Sequence, residues 1–425
     1  MPQVAKPPLP FWISALAAAK AKRTSGYYLC FFCFAKANSN IFLASWTQAQ
    51  HAEQMTCCFD RCAQYFDNAS GSGAELENLD ALMGKAKVLE GKRQWVQALD
   101  ALNKVIVMHD WFLPALVEKA KALMMTADWD QALEAAGRLQ QQEANNIEAL
   151  RLNVLFLLSR ESRCEEAAER LQELVTALQQ LEPRNHDLTL SCAQLFSRLA
   201  GRHKAILNIT FNMMKRVTDA VPERAKYLTE LGYQYMMQGE LPKAEQTFHA
   251  AVAKDETDVR ALFGIINCRV QEGSLDDAEE QLEFLSEIQI SVGKSPDLAF
   301  LQSLIAWRKR RDAEGALNLL NETLTLHITN FKSAVGYDFF IKLNADFMLE
   351  IAREYLQHTI SGGTDDAAKP GGYLLRGVQV LETLTRFVPG LVPAQAIVGV
   401  QTWRMLLNCA GGWSSVQAVM YHPTI

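Results

Sequence analysis

The stretch Ala225 to Asp258, A-K-Y-L-T-E-L-G-Y-Q-Y-M-M-Q-G-E-L-P-K-A-E-Q-T-F-H-A-A-V-A-K-D-E-T-D, decides the fold. Leu228, Leu231, Gly232 and Tyr235 recur at helical spacing, Gly239 and Pro242 punctuate, and Ala244, Phe248 and Ala251 resume the period. That is one antiparallel helical hairpin. Small residues such as Gly232 and Ala244 let the two backbones approach, and Tyr235 and Phe248 fill the groove that is left. A lone hairpin cannot bury its apolar faces, so such units must stack.

The step between units is 34 residues: Ala98 maps to Ala132, Ala86 to Ala120, and Trp95 to Trp129. Leu82 leads to Leu116 and Leu150, and Leu89 to Leu123 and Leu157. A second phase takes Gly239 to Gly273 and Ala244 to Ala278, with Phe248 replaced by Leu282. The length and the L-G-x2-Y then A-x3-F pattern are those of tetratricopeptide hairpins, with Leu228 in place of the usual Trp. The expected fold is all-α, a right-handed α-solenoid, with hairpins over 79–109, 113–142, 147–180, 187–220, 225–254, 259–290 and 297–328. Pro183, Pro222 and Pro296 fall between these units, where a residue without an amide donor costs little.

The organisation outward from the array is less regular. The solenoid is placed at 79–328; 329–410 is read as an irregular insertion over Phe331 to Asn344, a helix from Ala345 to His358, a mobile loop at 361–372, and helices over Tyr373 to Arg386 and Val392 to Leu407. Residues 1–78, rich in Cys and aromatics, carry no assigned fold, and 411–425 form an uncapped tail.

The 425 residues are 49% hydrophobic and 21% charged, with 13 Pro and 23 Gly, a composition of folded helical protein rather than disorder. A formal charge of -6 argues against broad phosphate-backbone binding, so no nucleic acid partner is expected. Nine Cys, four of them alone in helical patterns (Cys164, Cys192, Cys268, Cys409), fit a reducing compartment better than a disulfide framework. The longest apolar runs, Tyr27 to Ala35 and Phe11 to Ala19, fall short of the roughly 20 residues of a membrane span, and no membrane insertion is expected. The start only faintly has the form of a signal peptide, because Pro7 and Pro8 abut the apolar stretch and a basic flank follows it.

Chemistry-bearing patterns are sparse. Cys30 and Cys33 with Cys57, Cys58 and Cys62 have the ligand types for zinc, yet the spacings are irregular and Tyr27 to Phe34 is otherwise apolar, so packing thiols is the better reading. Gly293-Lys294-Ser295 has the end of a phosphate loop, but Ile288 stands where a Gly is required, and a turn is expected there. H-E-x-x-H, G-x-S-x-G and G-x-G-x-x-G do not occur, and neither a catalytic residue nor a cofactor or metal site is assigned. In such solenoids the first helix of each hairpin lines the concave face. This nominates Lys87, Lys121, Tyr233, Met236, Met237, Arg260, Phe263 and Asn267 for partner binding. The competing reading of Met236 and Phe263 is hairpin core. Lys87 and Lys121 are half of the pattern with which chaperone-binding arrays clamp a terminal carboxylate; the companion Asn residues are not in register.

From Ala81 to Leu391 the text resembles one family, the large tetratricopeptide-repeat subunit of intraflagellar transport complex A (tetratricopeptide repeat protein 21 type). The most specific segment is Asp255 to Ser295, D-E-T-D-V-R-A-L-F-G-I-I-N-C-R-V-Q-E-G-S-L-D-D-A-E-E-Q-L-E-F-L-S-E-I-Q-I-S-V-G-K-S. Also similar are A-L-M-G-K-A-K from Ala81, A-D-W-D-Q-A from Ala127, E-L-G-Y-Q from Glu230 and V-L-E-T-L-T-R-F-V-P-G-L from Val380. The resemblance implies a non-enzymatic scaffold of cilium, basal body and cytoplasm. It implies retrograde transport, delivery of proteins to the cilium, and other complex A subunits and ciliary cargo or adaptors as partners. Members of that family are much longer chains with further repeats on both sides, which implies an internal fragment or an imperfect gene model. The alternatives are a cochaperone-like peptide-binding module and, with no region patterned as a catalytic domain, an enzyme with an appended array.

Overall fold

The structure, a computed structural model, describes residues 79–292, 294–361 and 373–409. Every regular element among them is helical. The chain divides into two units, Met1–Ala144 and Asn145–Ile425. The candidate zinc thiols, the loop at 362–372 and the tail lie outside the described residues.

In the first unit, α1 (Leu79–Gly91) pairs with α2 (Trp95–Met108), and α3 (Leu113–Met125) with α4 (Trp129–Gln142). The 34-residue step is the packing register: Ala98 and Ala132 are both wholly buried, and Leu82 and Leu116 occupy the same core position. Pro114 opens α3, where its missing amide is an orphan anyway. Asp128 caps α4 by accepting from the Gln131 amide at 3.2 Å.

The second unit begins with α5 (Ile147–Phe156), which runs into a π-helical turn (Leu157–Glu161), followed by α6 (Cys164–Leu181). Next come α7 (His186–Leu199) with α8 (Lys204–Ala220), α9 (Ala225–Met237) with α10 (Leu241–Lys254), α11 (Val259–Glu272) with α12 (Leu275–Val292), and α13 (Pro296–Arg308) with α14 (Ala313–Lys332). A short α15 (Tyr337–Leu343) precedes α16 (Ala345–Ser361), which packs on α17 (Tyr373–Phe387), and α18 (Val392–Cys409) follows. Within each hairpin from α7 to α14 the two helices pack together, α6 packs on α8, and the first helices α7, α9, α11 and α13 touch one another in series, as stacking requires. Among the described residues no helix is long and apolar enough to cross a membrane.

The hairpin turns share a device. Arg93, Ala127, Ser162, Arg202, Gly239, Gly273 and Arg311 all hold φ between 55° and 90°, one in each successive hairpin. The Gly239 to Gly273 step therefore marks a left-handed position that closes the first helix, filled elsewhere by L-residues at a steric cost.

Phe248 is the keystone of α9, α10 and α11. It is wholly buried, and its ring lies against Gly232 of α9 on one side and Gly264 of α11 on the other, so close that a Cβ at either glycine would stand 2.6 or 2.5 Å from the ring. Ala244, Ala251, Ala261, Ile265 and Cys268 complete this cluster, and Tyr235 joins it to a second one around Met214, Val217 and Leu231.

Between Phe331 and Asn344 the chain is more ordered than the sequence predicts. The segment forms α15 because Phe331, Phe339, Phe340 and Phe387 interlock edge to face, and His327 bonds the Leu343 carbonyl at its end (2.9 Å). Gly336 and Asn344, both at positive φ, bound the helix.

Candidate functional site

The inner face of the second unit, formed by first helices, is polar at its centre. Arg198 of α7 reaches across to Glu230 of α9 with two hydrogen bonds, 2.5 and 2.8 Å, and both side chains are almost fully buried. Gln194 and Gln234 donate to the same carboxylate at 3.0 and 3.1 Å, and the Thr210 hydroxyl donates to Gln234. Burial works to raise the Glu230 carboxyl, but Arg198 holds it below the ordinary carboxylate range. The network is satisfied, which a buried ion pair needs if it is not to destabilise the stack.

Beside it, the Tyr233 hydroxyl donates to the Arg260 carbonyl at 3.0 Å, and the Arg260 guanidinium lies 5.6 Å from the Tyr233 ring centre. Burial and the nearby Asp297 raise the Tyr233 phenol, so it remains a donor. The Arg260 guanidinium also stands 4.0 Å from the Glu230 carboxylate, with 57% of its side chain accessible.

The nominated residues divide accordingly. Tyr233 and Arg260 touch one another. Phe263 and Met237 are buried, Met236 packs against the Phe248 cluster, and Asn267 is half-buried and accepts from Gln271 at 3.1 Å. In the first unit Lys87 and Lys121 do come together, but around Glu118. Lys87 pairs with Glu118 and with Glu90 (3.0 Å), and Lys121 lies 3.5 Å from Glu118. Burial would raise the Glu118 carboxyl, yet the two lysines hold it below its ordinary value. A carboxylate already sits where the clamp reading places a ligand's. Lys294 pairs with Glu322, and Ser295 precedes α13; Gly293 lies outside the described residues.

The sequence gives no warning of what crosses this face. α15 and α16 return to α7, closing the array on itself. The Tyr337 ring stacks on the Arg151 guanidinium, 4.0 Å from centroid to carbon, and its hydroxyl donates to the Glu148 carbonyl at 3.2 Å. Arg202, at the left-handed position of the α7–α8 turn, forks onto Asp346 of α16 at 3.0 and 3.1 Å and onto Glu350 at 2.5 Å. A third contact uses the π turn. Its Ser159 carbonyl accepts from the Gly390 amide at 2.8 Å, and Ser162 donates to the Gly390 carbonyl at 2.8 Å. A Cβ at Gly390 would stand 2.4 Å from the Leu158 oxygen, so only glycine fits. The hints were local: an acid, Glu230, among Leu228, Leu231 and Gly232, and the Pro389-Gly390 pair.

Among the described residues, no group of three or more His, Cys, Asp or Glu is placed to hold a metal ion.

Comparison with known proteins agrees with this architecture. The model of the tetratricopeptide repeat protein 21 second ARM domain matches residues 169–399, and that of the tetratricopeptide repeat protein 21 N-terminal ARM repeat matches 31–133. Human tetratricopeptide repeat protein 21B is 38% identical over 333 residues, 78% of this chain and 25% of the relative. Mouse tetratricopeptide repeat protein 21A is 36% identical over 276 residues, 65% of this chain and 21% of the relative. A solved tetratricopeptide repeat protein from Parabacteroides merdae has a TM-score of 0.46 at 13% identity, covering 63% of this chain and 98% of its own. The chain thus spans about a quarter of the length of the curated relatives it matches. With the hairpins that carry Phe248 and the Arg198–Glu230 pair inside the matched region, the chain belongs to the tetratricopeptide repeat protein 21 family.

Proposed function

We propose that this chain is a repeat segment of a non-catalytic scaffold subunit of intraflagellar transport complex A. In this reading it supports retrograde transport and cilium assembly, and delivers proteins to the cilium through contacts of its repeats. Its partners are other subunits of that complex and ciliary cargo or adaptors, and its places are cilium, basal body and cytoplasm. The observation that carries the reading is family membership over 169–399, the region that holds the Asp255 to Ser295 text. The stacked hairpins support it, because a solenoid offers long surfaces to macromolecular partners.

The cochaperone alternative is weakened by Glu118, which occupies Lys87 and Lys121. The test is recovery of the tagged chain from ciliated cells. Co-recovery of transport-complex subunits is expected; chaperone C-terminal tails without those subunits would overturn the reading.

A further inference from the structure

We propose that the outer face of α12 is a docking surface for a basic amphipathic helix of a partner protein, one that lays Lys and Arg along the α12 carboxylates and an aliphatic side chain on Phe284. The surface follows from charge and register and does not depend on the transport reading.

The α12 helix reads L-D-D-A-E-E-Q-L-E-F-L-S-E-I-Q-I-S-V, with six acids and no Lys, Arg or His. Ala278, Leu282 and Leu285 are buried and fix its inward side. At about 100° per residue, Asp276, Glu280, Glu283 and Phe284 fall on the opposite side with Asp277 at its edge, and all five are exposed. Phe284 keeps 62% of its surface accessible.

The stack does not ask for an aromatic there. Six residues on from the wholly buried alanine that starts each second helix's core, the same position holds Lys104 in α2, Arg138 in α4, Glu173 in α6, Ala250 in α10 and Glu322 in α14. Of these helices, α12 alone places a large apolar side chain at that point.

The next hairpin answers part of the charge. Lys309 pairs with Asp276 and Glu279, and Arg310 with Glu279. Asp277, Glu280 and Glu283 have no ion-pair partner among the described residues. They surround Phe284: Glu283 is its neighbour, Glu280 lies one turn before it, and Asp277 two turns before it. Carboxylates at one-turn steps, about 5.4 Å along the axis, match Lys or Arg recurring every third or fourth residue on a helix laid alongside. In such an interface the aromatic supplies affinity, and the surrounding charge steers and selects. The same charge repels nucleic acid and anionic bilayers, so a basic protein segment is the complement.

The test is fluorescence anisotropy of a labelled synthetic Lys/Leu amphipathic helix titrated with the whole chain, at about 50 and 300 mM salt. Saturable binding that weakens with salt is expected. Phe284→Ala and, separately, Glu280→Lys with Glu283→Lys should each weaken it by about tenfold, while Phe284→Leu should retain most of it. Reversing Glu165 and Glu169, exposed acids on α6, should change little. Hydrogen-exchange protection around Phe248 should be the same in every variant, as expected of changes confined to the surface. Absence of binding, equal losses from the α6 and α12 reversals, or unchanged affinity in Phe284→Ala would overturn the proposal. So would dimerisation of the chain, seen by light scattering and abolished by Phe284→Ala, because the occupant would then be a second copy.

Discussion

Replacing Gly264 by Ala asks whether Phe248 is the key of the stack. The new Cβ would lie 2.5 Å from the ring's Cζ and 2.6 Å from both Cε atoms, far inside contact distance. The ring cannot back away, because Gly232 already meets its other side and Tyr233 meets it edge-on at 5.1 Å. Overpacking of this kind costs about 1–3 kcal/mol. Removing a mid-helix glycine returns about 0.5–1 kcal/mol, so a net loss of about 1–2 kcal/mol is expected. In a Phe248→Leu background the shorter side chain leaves room, and Gly264→Ala should become neutral or mildly stabilising. The coupling between the two substitutions should thus reach about 1 kcal/mol or more. Repeat arrays open piecemeal, so the assay is native-state hydrogen exchange at the amides of α9, α10 and α11 rather than a global melt. Equal effects of Gly264→Ala in both backgrounds, or stabilisation with Phe248 present, would refute the packing account.

Other expectations follow from the inner face and the turns. Glu230→Ala strands Arg198 in a buried site and should cost about 3–5 kcal/mol, whereas Arg198→Met with Glu230→Leu should recover most of it, measured as denaturant midpoint shifts. Because the Glu230 carboxyl is held below its ordinary 4.5, its contribution is complete at neutral pH and lost as pH falls below that value, an acid loss that Glu230→Gln should abolish in pH-dependent unfolding. Ala127→Gly relieves a left-handed alanine (φ 62°) and should stabilise the first unit by about 1 kcal/mol, while Gly273→Ala should cost about 1–2 kcal/mol, both read by local hydrogen exchange. Asp258 caps α11 and also accepts from Thr229 at 2.6 Å, so Asp258→Ala should lose about 1–2 kcal/mol, seen as fraying at Arg260 and Ala261.

The hairpins were legible because stacking demands small and large residues at fixed places, and Gly232, Ala244 and Phe248 occupy them in plain sight. The Gly239 to Gly273 step pointed to a turn conformation whose other instances, Arg93 and Ala127 among them, carry no glycine to mark it. The inner face was legible only in outline. Periodicity puts Tyr233 and Arg260 there, but cannot tell Phe263 of the core from a groove residue, since both lie on the same helix. Glu118 between Lys87 and Lys121 was hidden for a related reason: spacing reports like residues in register, not the opposite charge that joins them. The closure was invisible because its partners lie far apart in sequence: Arg202 and Asp346 by 144 residues, Tyr337 and Glu148 by 189, Ser162 and Gly390 by 228. Local patterns encode local packing, and such contacts depend on how the whole array winds.

That winding is the central structural claim, and a photo-crosslinking phenylalanine analogue placed at position 337 tests it most directly. With the array closed, crosslinks should form to α5 around Glu148 and Arg151, identified by peptide mass spectrometry. Crosslinks confined to α14 and α17, with none to α5, would contradict the closure.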